Sequence, residues 1–131
     1  MKDAKKYLSQ IRLLDVKIAQ KEKELEMLRA ETENISPKSD GDRIQTSVND
    51  RMSANIAKII DIEKEIAQKQ AELIIVRHTI IDKIHELSDP ILVDILYKRY
   101  VEYKSYNIIS YELGYNIVYT RQLHSKALDL L

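Results

Sequence analysis

The side chains best suited to recognise another molecule lie close together near the C-terminus of this chain. Arg121 and Gln122 are adjacent, and Lys126 follows four residues after Gln122. An arginine can donate two hydrogen bonds to guanine, a glutamine can pair with adenine, and a lysine suits a phosphate. This combination is typical of duplex DNA recognition, provided that one helix presents the three side chains to solvent.

The surrounding sequence predicts two short helices joined by a tight turn. Ser105 is a good N-cap, and Ile109 and Leu113 fall four residues apart on one helix face. Gly114 follows at the position where a left-handed residue usually ends a helix, and Asn116 can cap a second helix. The buried stripe of that second helix is predicted to hold Leu123, Ala127 and either Leu130 or Leu131. We therefore expect a helix-turn-helix over residues 105–131.

The order of residues in this segment is that of a known family. The family has a Ser or Thr cap, an apolar residue four positions later, Leu-Gly, a small polar cap, and then Arg-Gln-apolar-x-x-Lys-Ala-Leu. The corresponding residues here are Ser105, Ile109, Leu113-Gly114, Asn116, Arg121-Gln122-Leu123 and Lys126-Ala127-Leu128. Residues 105–131 thus resemble the fourth conserved region of bacterial sigma factors, which reads the −35 promoter element. The Leu-His-Ser-Lys-Ala-Leu run and the heptad-rich region before it look more like a phage-encoded subgroup of late-gene, packaging or lysis transcriptional regulators.

The resemblance implies a DNA-binding surface on the second helix and the residues beside it. The expected DNA-binding residues are Tyr115, Asn116, Tyr119, Arg121, Gln122 and Lys126. Many sigma factors have charged residues directly after the cap, whereas this chain has Ile117 and Val118. The base preference of a sigma factor is therefore not transferred, and bacterial RNA polymerase is implied as a partner only by analogy.

The charge balance bears on how such a surface would work. Lys+Arg and Asp+Glu are equal at 21 each, so the formal net charge is zero. Because phosphate contacts dominate affinity for DNA, a free-standing DNA-binding domain is usually basic. We therefore expect weak binding by one monomer, with dimerisation or a DNA-bound partner supplying the remaining affinity.

Two long segments without glycine or proline fill the N-terminal two thirds of the chain. Apolar residues recur at alternating spacings of three and four over residues 3–33, which is the pattern of a heptad seam. A second seam follows over residues 48–87, with Ser47 as its possible cap, and a polar loop over about residues 34–47 separates the two. The loop is short relative to the helices, so the sequence predicts an antiparallel coiled-coil hairpin over residues 1–87.

The second segment carries more isoleucines than one seam can bury. The isoleucines outside the seam are Ile56, Ile60, Ile74, Ile75, Ile81 and Ile84. A two-helix hairpin buries one face of each helix, so these side chains need another partner. We expect a homodimer, formed as a four-helix bundle.

The proline at position 90 marks the start of the C-terminal part. Asp89 is predicted to cap a third helix with Pro90 in its first turn, followed by Ile91, Leu92, Ile95 and Leu96. The predicted fold class is therefore all-α, with the hairpin as a dimerisation domain over residues 1–87. A three-helix, sigma-like DNA-binding domain is expected over residues 88–131.

Other chemistries have little support in the sequence. The chain has no cysteine, and His78 and His85 are seven residues apart, which is too wide for a metal site on one helix. No catalytic set, phosphate loop or apolar run of membrane-spanning length is visible, so we expect no cofactor, no metal, no membrane partner and no enzymatic activity. A cytoplasmic protein of the bacterial host cell is the expectation.

Two functions from different classes fit these observations. In the first, the chain is a phage or prophage transcriptional regulator that binds double-stranded DNA and self-associates through the hairpin. In the second, it is a protein-interaction module that binds RNA polymerase or a phage assembly protein without sequence-specific DNA contact. Neutral net charge and the apolar pair Ile117 and Val118 favour the second, whereas the family resemblance favours the first.

Overall fold

The computed structural model describes residues 2–35 and 42–131, and the fold is all-α as predicted, with no strand in those ranges. Six α-helices and one π-helical turn occur in the described residues, in the order α1 (Lys2–Leu8), α2 (Gln10–Glu33), α3 (Asp42–Ile84), α4 (Pro90–Leu96), the π-turn (Tyr97–Val101), α5 (Tyr106–Leu113) and α6 (Ile117–Leu130). Within the same ranges, no helix is both long enough and apolar enough to cross a membrane.

The first predicted helix is present as α1 and α2, which meet at Ser9. The Ser9 hydroxyl donates to the Lys5 carbonyl oxygen (2.7 Å), while backbone hydrogen bonds of the helical type continue on both sides. A serine bonded in this way competes with the helical backbone and locally disturbs it. The predicted seam is confirmed by burial, since Ile11, Ile18 and Leu25 are buried.

The second predicted helix begins earlier in the chain than the sequence indicated. Helix α3 begins at Asp42, so Ser47 lies inside it and the prediction of Ser47 as a cap is wrong. The predicted loop over residues 34–47 is correspondingly too long, and residues 36–41 lie outside the described part. The helix ends at Ile84, with residues 85 and 86 in a turn. The physical reason is that the polar stretch 42–47 contains no proline or glycine, so nothing in it opposes a helix.

Packing groups the chain into two compact units, which differ from the predicted division at residues 87 and 88. One unit contains residues 16–71, where Lys21 pairs with Glu65 (3.2 Å) and Arg29 with Glu63 (2.9 Å). The order of these pairs is that of antiparallel helices. The other unit contains residues 1–15 together with residues 72–131. The C-terminal helices thus form one core with α1 and with the adjoining ends of α2 and α3.

The C-terminal helices are arranged by local signals and by an apolar core. The Asp89 carboxylate accepts a hydrogen bond from the Ile91 N–H (2.9 Å), and Pro90 stands in the first turn of α4, as predicted. Helices α4 and α5 both pack against α6, and the core of this region is fully buried at Leu92, Ile95, Leu96 and Ile109. Burial of this kind stabilises a fold by roughly 1.5–3 kcal/mol for each large aliphatic side chain.

The segment between α4 and α5 contains a backbone conformation that is unusual for a side chain of this size. Tyr103 has a φ of 60°, in the left-handed region, and its hydroxyl donates to the Asp15 carboxylate. Asp15 also lies 3.9 Å from Arg77, and the Arg12 guanidinium lies 5.7 Å from the centre of the Tyr103 ring. These contacts hold the loop before α5 against the neighbouring ends of α2 and α3.

Candidate nucleic-acid interface

The turn between α5 and α6 is set by the residues that the sequence singled out. The Ser105 hydroxyl accepts from the Ile108 N–H (3.3 Å) at the start of α5. Gly114 has a φ of 72° and its N–H donates to carbonyl oxygens at the end of that helix. The Asn116 amide oxygen accepts from the Tyr119 N–H (2.8 Å) and so caps α6. All three local predictions are confirmed, and they fix where α6 begins.

The buried side of α6 differs in part from the predicted stripe. Ala127 is buried and Leu123 is half-buried as expected, and of the last two leucines Leu131 is half-buried whereas Leu130 is exposed. The sequence missed three buried positions on this helix, namely Thr120, His124 and Leu128. The hydroxyl of Thr120 donates to the Asn116 carbonyl oxygen (3.0 Å), which satisfies a polar group in a fully buried position.

The opposite side of α6 carries the residues expected to bind DNA. Asn116, Tyr119, Arg121, Gln122 and Lys126 are exposed. Tyr115 is half-buried, and its ring meets that of Tyr119 edge to face at 5.1 Å between centroids. The structure therefore brings the predicted site residues to one helix and its preceding turn, with hydrogen-bonding groups available to a ligand.

A cluster that the sequence did not predict lies beside this surface. The Arg99 guanidinium carbon is 4.3 Å from the centre of the Tyr106 ring, and that of Arg121 is 5.3 Å from the same centre. Arg99 is half-buried and also donates to the Lys104 carbonyl oxygen (3.1 Å). Two cations therefore share one aromatic ring, an interaction worth about 0.5–2 kcal/mol for each well-placed pair. The only sequence signal for Arg99 was its place in the apolar–basic–aromatic run of residues 96–100.

His124 occupies the interior behind the cluster. Its Nε2 is 2.7 Å from the Tyr100 hydroxyl and its Nδ1 is 3.3 Å from the Tyr106 hydroxyl. A neutral imidazole has one donor and one acceptor nitrogen, so two hydroxyls satisfy it completely. Burial, followed by the positive charges of Arg99 and Lys5, lowers the pKa of His124 to about 4. Burial likewise raises the pKa of Tyr100 to about 12, so the His124 ring and the Tyr100 hydroxyl are both uncharged at neutral pH.

Charge pairing separates the basic residues of this region into two groups. Lys98 and Lys104 both pair with Glu112, at 3.1 and 2.9 Å, and these contacts lower the pKa of the Glu112 carboxyl. Arg121 and Lys126, by contrast, form no salt bridge with any carboxylate in the described part of the chain. The positive charges of Arg121 and Lys126 are thus available to a ligand on the exposed side of α6.

The other candidate groups do not assemble into a site. His78 and His85 are both exposed. Across residues 2–35 and 42–131, no group of three or more histidine and acidic side chains is placed to hold a metal ion.

Exposed apolar side chains accompany the polar surface. Tyr111 on α5 is 88% exposed and Ile108 is 50% exposed, while Val118 in the first turn of α6 is 62% exposed. Ile117, the other member of the apolar pair, is half-buried. Val118 is therefore the member of the pair that is free to touch a ligand. Comparison of the chain with protein-family models, with curated proteins and with solved structures finds no match.

Proposed function

We propose that this protein is a phage or prophage transcriptional regulator that binds double-stranded DNA through α6. The observation that carries the proposal is the division of α6 into two sides. One side is packed into a core, and the other presents Arg121, Gln122 and Lys126 to solvent with no carboxylate partner for either cation among the described residues. A capped helix with such a face can enter the major groove and contact base edges.

The roles of the individual residues follow from their chemistry and position. Arg121 and Gln122 have the donors and acceptors to bind guanine and adenine, and Lys126, one turn further along, suits a phosphate. Asn116 and Tyr119 stand at the N-terminal end of α6, where a recognition helix reaches the bases. Tyr115 supports Tyr119 through the contact between their rings.

We further propose that the long N-terminal helices make the protein a homodimer. Ile84 is fully buried and Ile81 is half-buried, so these two isoleucines find partners within the chain. Ile56, Ile60, Ile74 and Ile75 remain 46–66% exposed. Four large aliphatic side chains exposed on one helix are unusual for a monomer, and a second copy of the chain would bury them. A dimer would present two copies of α6 and so offset the weak electrostatic attraction of a chain without net charge.

The first test is selection of duplexes from a random DNA pool. The native protein is compared with an Arg121→Ala/Gln122→Ala variant and with a matched Arg51→Ala/Gln68→Ala variant, which removes the same two residue types from exposed positions on α3. We expect the native protein and the α3 variant to enrich a motif with two half-sites, and the α6 variant to lose it. Absence of enrichment by the native protein at low salt would exclude direct sequence recognition by this chain alone.

A second candidate function is favoured by the exposed apolar residues. Tyr111, Ile108 and Val118 could contact bacterial RNA polymerase or a phage assembly protein, and the chain would then be an interaction module of the host cytoplasm without sequence-specific DNA contact. Salt separates the two functions, because binding through several phosphates weakens steeply as salt rises. Binding to polymerase that is insensitive to salt and lost in Tyr111→Ala would favour this alternative.

A further inference from the structure

The guanidinium group of Arg121 on α6 lies over the ring of Tyr106 on α5. The guanidinium carbon is 5.3 Å from the ring centre, which is within the roughly 6 Å over which a cation is attracted to an aromatic face. Arg121 forms no salt bridge with a carboxylate in the part of the chain that the structure describes, so no acid draws the group away from the ring. The contact therefore links the exposed side of α6 to the first turn of α5.

The Tyr106 ring is itself held from the interior. Its hydroxyl is 3.3 Å from Nδ1 of His124, and the two rings meet edge to face with 5.3 Å between their centroids. His124 is buried, and its Nε2 is 2.7 Å from the hydroxyl of Tyr100, which is buried as well. Three side chains thus connect the core to the surface, and because the inner two are fixed by packing, the ring that contacts Arg121 has a defined position.

A second cation shares the Tyr106 ring but has a different environment. Arg99 is half-buried, its guanidinium carbon is 4.3 Å from the ring centre, and it donates to the Lys104 carbonyl oxygen (3.1 Å). With two contacts, Arg99 is fixed within the fold and helps to hold the ring. Arg121 is exposed, and the ring face offers it no oxygen acceptor, so its N–H donors remain available to O6 and N7 of a guanine.

We propose that Tyr106 is a positioning residue that sets the orientation in which Arg121 reads a guanine. An exposed arginine loses rotamer freedom when it binds, and a side chain already held against a ring loses less, so the contact strengthens binding to the matching base. Tyr106 thus determines specificity at one base pair without touching the DNA. The inference rests on the proposed DNA-binding function and deepens it.

The test is a double-mutant cycle, measured by fluorescence anisotropy on a labelled duplex that carries the motif selected by the native protein. It compares the native chain with Tyr106→Leu, Arg121→Ala and the double variant. We expect Tyr106→Leu to weaken binding about three- to tenfold when Arg121 is present, as the loss of a contact between a cation and a ring implies. In the Arg121→Ala background, the same substitution should change the affinity by less than about twofold, because the side chain that Tyr106 positions is absent.

Two control variants and one direct measurement accompany the cycle. Tyr106→Phe keeps the ring and should keep most of the coupling to Arg121. Tyr97→Leu makes the same substitution at another half-buried tyrosine, whose ring carries no cation among the described residues, so its effect should be the same with and without Arg121. In the NMR spectrum of the free native protein, the ring current of Tyr106 should shift the side-chain proton resonances of Arg121 upfield.

Several results would overturn the inference. An equal loss of affinity from Tyr106→Leu in both backgrounds would show a purely structural role, and so would coupling of the same size between Tyr97 and Arg121. Loss of the coupling in Tyr106→Phe would show that the ring is not responsible. Absence of the ring-current shift would refute the contact itself, whether or not any variant folds. In each of these cases the native protein would still select a motif and the proposed function would stand, whereas failure to select one would overturn the function and the inference together.

Discussion

Protonation of His124 should destabilise the protein in mildly acidic solution. His124 is only 5% exposed, and both ring nitrogens are hydrogen-bonded to tyrosine hydroxyls. Its pKa is lowered from 6.5 to about 4, mainly by burial. Above pH 6.5 the ring is neutral in the folded and the unfolded chain. As the pH falls through 6.5, the unfolded chain takes up a proton that the folded chain does not, so the free energy of unfolding decreases until about pH 4.

The size of this effect follows from the two pKa values. Each pKa unit is worth about 1.4 kcal/mol, so the difference corresponds to about 3 kcal/mol between neutral pH and pH 4. The assay is urea denaturation followed by circular dichroism at a series of pH values from 7 to 5, which lies above the range where the lowered pKa of Glu112 contributes. About 2 kcal/mol of the decrease falls within this interval.

A pair of histidine variants isolates this contribution. His124→Gln should be less stable than the native protein at pH 7 but should lose most of the pH dependence. His78→Gln, at an exposed histidine, should retain it. If His124→Gln and the native protein showed the same pH dependence in this interval, the reasoning about the buried ring would be refuted.

Three further perturbations test the turn and the proposed dimer. Gly114→Ala should destabilise the fold by about 1 kcal/mol, measured by thermal denaturation. The reason is the positive φ alone, since a Cβ at this position would meet nothing within 4 Å. Gly114→Asn should destabilise the fold less, because asparagine tolerates the left-handed conformation, and equal losses of stability in the two variants would contradict this explanation. Asn116→Ala removes the cap of α6 and should lower the free energy of unfolding by about 1 kcal/mol, whereas Asn116→Asp should retain most of that stability. If urea denaturation showed no loss of stability in Asn116→Ala, the capping role would be contradicted. Ile74→Glu/Ile75→Glu should shift the sedimentation of the protein from dimer to monomer, whereas sedimentation of the native protein as a monomer at micromolar concentration would exclude the proposed homodimer.

The features that the sequence predicted correctly are those determined by neighbouring residues. Ser105, Gly114 and Asn116 act on backbone groups only a few residues away, so their types and spacing are sufficient to place the ends of α5 and α6. The apolar residues that recur every three or four positions in α2 are likewise a local pattern, and Ile11, Ile18 and Leu25 are buried as that pattern indicated. The start of α3 was predicted less accurately, because a polar sequence without proline or glycine does not determine where the first turn of a helix lies.

The features that the sequence did not predict depend on contacts between distant residues. Nothing around His124 indicates that Tyr100 and Tyr106 will enclose it, since those contacts require α6 to lie against the preceding elements. The approach of Arg99 and Arg121 to one ring arises in the same way. The packing of α1 against α6 joins two ends of the chain that no local pattern connects.

The packing of α1 against α6 also sets the order in which the protein can fold during synthesis. Leu8 and Ile11 leave the ribosome early, but the unit that buries them also requires α4, α5 and α6, which are made much later. The unit formed by residues 16–71, by contrast, is complete in one continuous stretch and can form first. A fragment that begins at residue 88 would lack α1 and would leave part of the α6 surface uncovered. A fragment intended to retain the native packing of α6 therefore requires residues 1–15 as well as residues 72–131.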